Sequence, residues 1–203
     1  MRRFVRGNAL SLFFLSGFLI TLVGQSVAGT ADHNARQLAE GGSAVSWVAY
    51  VTSSDFAVDV AENWQSEYLQ FLLFIMATVW FVQRGSPESK KPGEEGRGRA
   101  RGLYANSLGL VMGLIFLLSW LAQSIAGTVA YDNERLAQML DPVGWGGYVT
   151  SADFWNRTLQ NWQSELLAVL SMVVFTIYLR QAGSPESKPV DAPGSRCAER
   201  PDG

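Results

Sequence analysis

The chain has almost no thiol and almost no imidazole: one cysteine, Cys197, and one histidine, His33, in 203 residues. A single cysteine excludes an internal disulfide framework and a cysteine-built metal cluster. With His33 alone there is no paired-histidine zinc motif, and neither a glycine-rich phosphate loop nor a nucleophile elbow is present. These absences point away from an enzyme, and neither cofactor nor metal is expected. A basic excess is lacking too, with 16 Lys and Arg against 18 Asp and Glu, net charge −2, which argues against a nucleic-acid partner. Charge is missing altogether from two long runs, Ala9 to Val27 and Leu103 to Ile125. Each is long enough to cross about 30 Å of hydrocarbon as a helix. The mean hydropathy of +0.08 conceals this partition between apolar runs and polar, glycine-rich stretches.

What the chain does have is a copy of itself. Asn8 to Lys90 aligns without a gap on Asn106 to Lys188 at an offset of 98 residues, with 35 of 83 positions identical. Such self-similarity is the first thing that decides an architecture. Four blocks carry it. They are Gln25-Ser26-x-Ala28-Gly29-Thr30, Tyr50-Val51-Thr52-Ser53-x-Asp55-Phe56, Asn63-Trp64-Gln65-Ser66-Glu67 and Gly85-Ser86-Pro87-Glu88-Ser89-Lys90, each repeated 98 residues later.

Each copy holds a second, shorter uncharged stretch, Tyr68 to Gln83 and Leu166 to Leu179. At 1.5 Å per residue these cover roughly 21–24 Å, several ångströms short of the hydrocarbon core. Local thinning, snorkelling by Arg180, or drawing the preceding polar turn to the membrane edge would make up the difference. The expected fold is therefore all-α. It is a polytopic membrane protein of four transmembrane helices, made by tandem duplication of a helical hairpin, with the two repeats parallel. Residues 1–90 form the first hairpin, 91–102 a flexible linker, 103–188 the second hairpin and 189–203 a tail. No charge sits at the centre of any span, which weakens a pump or proton-relay reading.

Thirteen of the 16 basic residues lie in the N-terminal arm, the linker and the C-terminal end; only Arg36, Arg135 and Arg157 fall elsewhere. The positive-inside rule then places both termini and the linker in the cytoplasm. Taken alone, the N-terminus also reads as a cleavable signal ending near Ala28 or Ala31. The same Gln-Ser-x-Ala-Gly-Thr ending recurs mid-chain at Gln123 to Thr128, which favours a retained helix.

Several local expectations follow. Gln25 and Gln123 are placed at the outer ends of helices one and three, with long outer loops beyond them. Thr52-x-x-Asp55 and Thr150-x-x-Asp153 are helix-start signals of the capping-box type, so helices two and four begin near Ser53 and Ser151. The Gly-Ser-Pro-Glu-Ser-Lys blocks read as helix stops with glycine as the left-handed cap. Trp47, Trp145, Tyr50 and Tyr148 mark the outer interface, and Trp64 and Trp162 are interfacial anchors. Gly109-x-x-x-Gly113 allows close helix approach, within the monomer more readily than between copies.

The sharpest chemical cluster is a polar layer of Gln25, Asn63, Gln65 and Glu67 with Gln123, Asn161, Gln163 and Glu165. Asn63 and Glu67 share one helix face at i,i+4 spacing, as do Asn161 and Glu165. Intramembrane carboxylates are costly, so the layer reads as a site for a cation or small polar ligand. It reads more readily as hydrogen-bonding glue between helices, since both carboxylates can also reach the aqueous interface. The function expected is a non-enzymatic structural or interaction protein, its partners the lipid bilayer and another protein or a second copy. The alternative is a small transporter or channel built around Glu67 and Glu165. The Gln-Ser-x-Ala-Gly, Asn-Trp-Gln-Ser-Glu and Gly-Ser-Pro-Glu-Ser-Lys blocks together resemble a bacterial family of small membrane proteins known only as a domain of unknown function. That resemblance covers both copies and implies a bacterial cytoplasmic membrane location, but brings no activity or site residues.

Overall fold

A computed structural model describes residues 2–84, 86–89 and 102–190. Gly85, Lys90, most of the linker, Cys197 and the tail beyond residue 190 lie outside the described residues. All the regular elements among them are helical: α1 (Arg2–Gly7), α2 (Ala9–Ala39), α3 (Trp47–Val51), α4 (Ser54–Trp80), α5 (Ser107–Ala137), α6 (Gly144–Val149) and α7 (Ala152–Tyr178), with a 3-10 turn at Tyr104–Asn106 before α5. Two stretches, Ala9–Ala39 and Tyr104–Ala137, are long and apolar enough to cross a membrane.

The elements repeat as the sequence does: long helix, short helix, long helix, twice. In each copy the short helix is fastened to the long one before it by the same three devices. Trp47 Nε1 donates to Ser26 Oγ at 3.0 Å, and Trp145 Nε1 to Ser124 Oγ at 3.1 Å. Tyr50 and Tyr148, 3% and 1% exposed, lie flat against Gly29 and Gly127, where an added Cβ would fall within 2.9 and 2.7 Å of a ring carbon. Asn34 Oδ1 accepts from the Val45 amide at 2.8 Å, and Asp132 Oδ1 accepts from that of Val143 at 2.8 Å. The Gln-Ser-x-Ala-Gly-Thr block is thus the seat of a clamp rather than the end of a helix. α2 and α5 run nine residues beyond it, to Ala39 and Ala137. As parts of the clamp, Tyr50 and Tyr148 are interior groups and not interface markers.

α4 and α7 begin where expected, but the cap is one residue later than the capping-box reading. Ser53 Oγ and Ser151 Oγ accept from the amides of Phe56 and Phe154 at 3.3 and 3.2 Å. Thr52 and Thr150 instead turn their hydroxyls back to the carbonyls of the short helices. At the other end, α4 and α7 stop at Trp80 and Tyr178, and the chain is extended at Phe81 and Leu179. The Gly-Ser-Pro-Glu-Ser-Lys blocks therefore lie beyond the helix ends and do not cap them. Their described residues fold into hooks: the Gln83 and Gln181 amides donate to Ser89 Oγ and Ser187 Oγ at 2.7 and 2.9 Å. Gly183, at φ +81°, serves the turn of the second hook. The hooks meet. Ser86 Oγ is 3.4 Å from Thr176 Oγ1, and burial followed by the neighbouring Glu186 carboxylate raises the Glu88 carboxyl above its usual range.

The two hairpins join through α4, which lies against both α5 and α7. α4 and α5 are antiparallel and close: Gly109 faces Met76 and Gly113 faces Leu72, each with room for a Cβ at 3.7 Å. The Gly-x-x-x-Gly pair thus serves packing within the chain. In each hairpin the first and last helices meet through an equivalent aromatic pair, Phe18 with Trp64 at 6.2 Å and Phe116 with Trp162 at 6.3 Å between ring centroids. In the second hairpin Trp120 adds contacts with Phe154, Trp155 and Trp162.

A paired substitution separates the clamp from ordinary helix propensity. Gly127→Ala is expected to lower stability by about 1–3 kcal/mol, through overpacking against Tyr148. Gly24→Ala, which meets nothing within 4 Å, should be neutral or stabilising by about 0.5–1 kcal/mol. Thermal unfolding in detergent compares the two.

Candidate functional site

Between the N-terminal turns of α4 and α7 lies a polar cleft of about 500 Å³, lined by Gln25 of α2, by Asp59, Glu62 and Asn63 of α4, and by Asp153, Asn156, Arg157, Gln160 and Asn161 of α7. Successive turns of the two helices bring these groups to one place. Arg157 is its centre, with Nε 3.3 Å from Asp153 Oδ2 and Nη1 3.5 Å from Glu62 Oε2. Asn161 Nδ2 donates to the other Glu62 oxygen at 2.8 Å. Asp59 makes no ion pair within 4 Å among the described residues. Burial raises the Asp59 and Glu62 carboxyls above their usual range, and Arg157 only partly offsets this. Burial alone would loosen the proton of Arg157, but Asp153 and Glu62 hold it more firmly than usual. Close by, burial and then the Asp153 carboxylate push the Tyr148 phenol up to about 12.

The eight residues of the expected polar layer do not form one layer. Gln25, Asn63 and Asn161 line the cleft. Gln65 and Gln123 are fully buried one step further in. There Trp162 Nε1 donates to Gln65 Oε1 at 2.8 Å, and Gln123 Nε2 reaches Thr158 Oγ1 at 3.5 Å. Trp162 also stacks among Phe116 and Trp120, so it plugs the interior beneath the cleft instead of standing at the surface. Trp64, its repeat partner, is 42% exposed. Gln65 Nε2, Gln123 Oε1 and Trp120 Nε1 are buried without a hydrogen-bond partner. Glu67 and Glu165 lie near each other between α4 and α7, and the buried Ser66 donates back to the Asn63 carbonyl at 3.0 Å. Gln163 points away from all of these and is exposed.

The groups that dominate the cleft were not visible to a search for repetition, because they differ between copies. Asp59 and Arg157 occupy equivalent positions with opposite charge, and Glu62 is matched by Gln160. The signal that would have found them is complementarity at equivalent positions rather than identity. A second, mostly apolar cavity of about 270 Å³ lies at the other end of α4 and α7, behind the first hook; it holds no comparable charge.

The sequence profile of a domain of unknown function, DUF6766, matches residues 1–102 and again residues 96–199. The chain is a member of the DUF6766 family. It carries that domain twice, and the boundary between the matches falls in the segment that joins the two hairpins. No curated protein and no solved structure matches the chain.

Two measurements probe this DUF6766 site. Carboxyls raised by burial favour the folded state at low pH, and that contribution is lost as pH rises through their folded-state values. Above the ordinary values of 3.8 and 4.5, the native chain should therefore lose stability with rising pH relative to an Asp59→Asn, Glu62→Gln variant. Melting temperatures across pH 4 to 7 read the difference. Trp162→Phe removes the one hydrogen bond of a fully buried amide and should cost about 1–3 kcal/mol in chemical or thermal unfolding.

Proposed function

We propose that this is a non-enzymatic, four-span protein of the bacterial cytoplasmic membrane, with both termini inside, whose outer cleft receives a small organic cation. The observation that carries the ligand reading is the half-buried Asp59 carboxylate, left without an ion-pair partner in a cleft where three carboxylates outnumber one arginine. Burying a carboxylate without a partner is costly, and a cation seated beside it offsets that cost. No three acidic or imidazole groups among the described residues converge closely enough to ligate a metal ion. The spread of carboxylates and amides suits an amine, which takes charge and hydrogen bonds from several directions.

The membrane reading is supported by two long apolar helices and by the length of α4 and α7. Each has 27 residues, which at 1.5 Å per residue gives about 40 Å. Such a helix crosses the hydrocarbon and still projects its first turns, those of the cleft, into the outer headgroup layer. The distribution of basic residues supports the orientation. A passage through the bundle has less support, because the Trp162, Gln65 and Phe116 plug lies directly beneath the cleft.

The test is calorimetry and thermal shift on the protein in lipid nanodiscs with methylammonium, ethanolamine and putrescine, against sodium and magnesium as controls. An amine at a hundred times its dissociation constant should stabilise the fold by about 2.7 kcal/mol, and Asp59→Asn should remove the response. Absence of binding by every amine at millimolar concentration sinks the proposal. Orientation is checked separately: an impermeant thiol reagent added to intact cells should leave Cys197 unlabelled.

A further inference from the structure

The duplicated helices are not equally covered. On α4, Ala61, Gln65 and Leu69 are 8%, 0% and 9% exposed, beneath α5. Their repeat equivalents on α7 are Leu159, Gln163 and Leu167, with Leu159 and Leu167 53% and 60% exposed and Gln163 also exposed. The equivalent of α5 is α2, and its inner half is bare: from Ala9 to Thr21 every residue but Leu12 is exposed. Were the two hairpins related by a closed twofold, α2 would cover α7 as α5 covers α4. It does not. The seam inside the chain joins the last helix of one hairpin to the first helix of the next, which is a heterologous contact, and such contacts continue until a ring closes them.

We propose that a second copy of this chain covers the exposed face of α7, with the partner's α2 laid where α5 lies on α4. The pairing is reciprocal, since each copy ends in one α2 surface and one α7 surface, so two copies close a ring of four hairpins. The amides match as well. Gln65 and Gln123 are both fully buried at the internal seam, whereas Gln163 is exposed and Gln25 half-buried. Laying α2 on a neighbouring α7 brings these two to equivalent depth and removes an amide from the apolar edge of the membrane, where hydrogen bonding between helices is favoured. Bulk is partly exchanged across the seam: Ser11 and Val174 stand where Gly109 and Met76 stand inside the chain. Leu15 in place of Gly113 holds the two axes further apart at the level of Leu170. On α7 this interface uses a different face from the cleft, and on α2 the two share Gln25, which also lines the cleft; the helix pairing itself does not depend on a ligand.

The experiment is cross-linking of the full chain in native membranes, on a Cys197→Ser background. Gln25→Cys and Gln163→Cys are introduced in separate, differently tagged copies and co-expressed, with Leu15→Cys and Leu170→Cys as a second pair further along the same seam. The expected result is a product carrying both tags at twice the 22.3 kDa of the chain, for both pairs. Two outcomes overturn the proposal. A Gln25→Cys, Gln163→Cys double variant that cross-links only within one chain means that its own α2 closes on α7. No cross-link of either kind, with every variant extracted as a stable monomer from nanodiscs, means that lipid alone covers this face.

Discussion

The close antiparallel contact of α4 with α5 is the constraint on which the rest of the molecule depends. Among the described residues it is the larger of the two seams that join the hairpins, the other being the α4 and α7 crossing. Small residues suit it at Gly109 and Gly113, which face Met76 and Leu72 with room for a Cβ at the ordinary contact distance of 3.7 Å. On the proposed membrane reading the hydrophobic effect does not hold helices together, so shape fit and hydrogen bonds must. Here both are present, the glycines at one end of the seam and the buried Gln65 and Gln123 further out. The same seam has no counterpart on the other side of the chain, where Ser11 and Leu15 replace the glycines. Duplication supplied two copies of the hairpin, and divergence at these few positions made one junction tight and left the other open.

Within each hairpin the organising element is the clamp. A short helix placed across the outer half of a long one would bury polar backbone at its ends unless tied down. The tryptophan-to-serine bond, the tyrosine ring on glycine and the Asx contact tie it down identically in both copies. These contacts fix how the chain enters α4 and α7, and so set the direction in which the first turns of those helices present their charges. The cleft is a consequence: two similarly started helices, crossing near Glu67 and Glu165, bring unlike residues at like positions into one cleft. Asp59 and Arg157 are the plainest case: they hold equivalent positions with opposite charge and line the same cleft, while Arg157 pairs with Glu62 and Asp153 instead.

The repetition was legible from residues alone because identity at a fixed offset needs no geometry, and the starts of α4 and α7 were legible because Ser53 and Ser151 act locally. The ends were not. Glycine and proline in Gly-Ser-Pro-Glu-Ser-Lys suggested a helix cap, yet the helices end earlier, at Trp80 and Tyr178. There the chain turns extended and the hooks satisfy their amides from Ser89 and Ser187. The polar layer was half legible. Its residues were the right ones to notice, but depth along a helix does not tell which way a side chain points. Gln65 and Gln163 are identical in motif and opposite in environment.

By itself, then, the sequence determined the tandem repeat, the helical class and many of the positions where polar groups must find partners. Each of these follows from spacing along the chain and from the cost of leaving backbone or amides unpaired in an apolar setting. Only the tertiary structure decided which of the equivalent residues meet. That depends on how closely helix axes approach, and a glycine in one copy against a leucine in the other changes the approach without changing the pattern. The charge cleft of Asp59, Glu62, Asp153 and Arg157, and the uncovered face of α7, both follow from that difference.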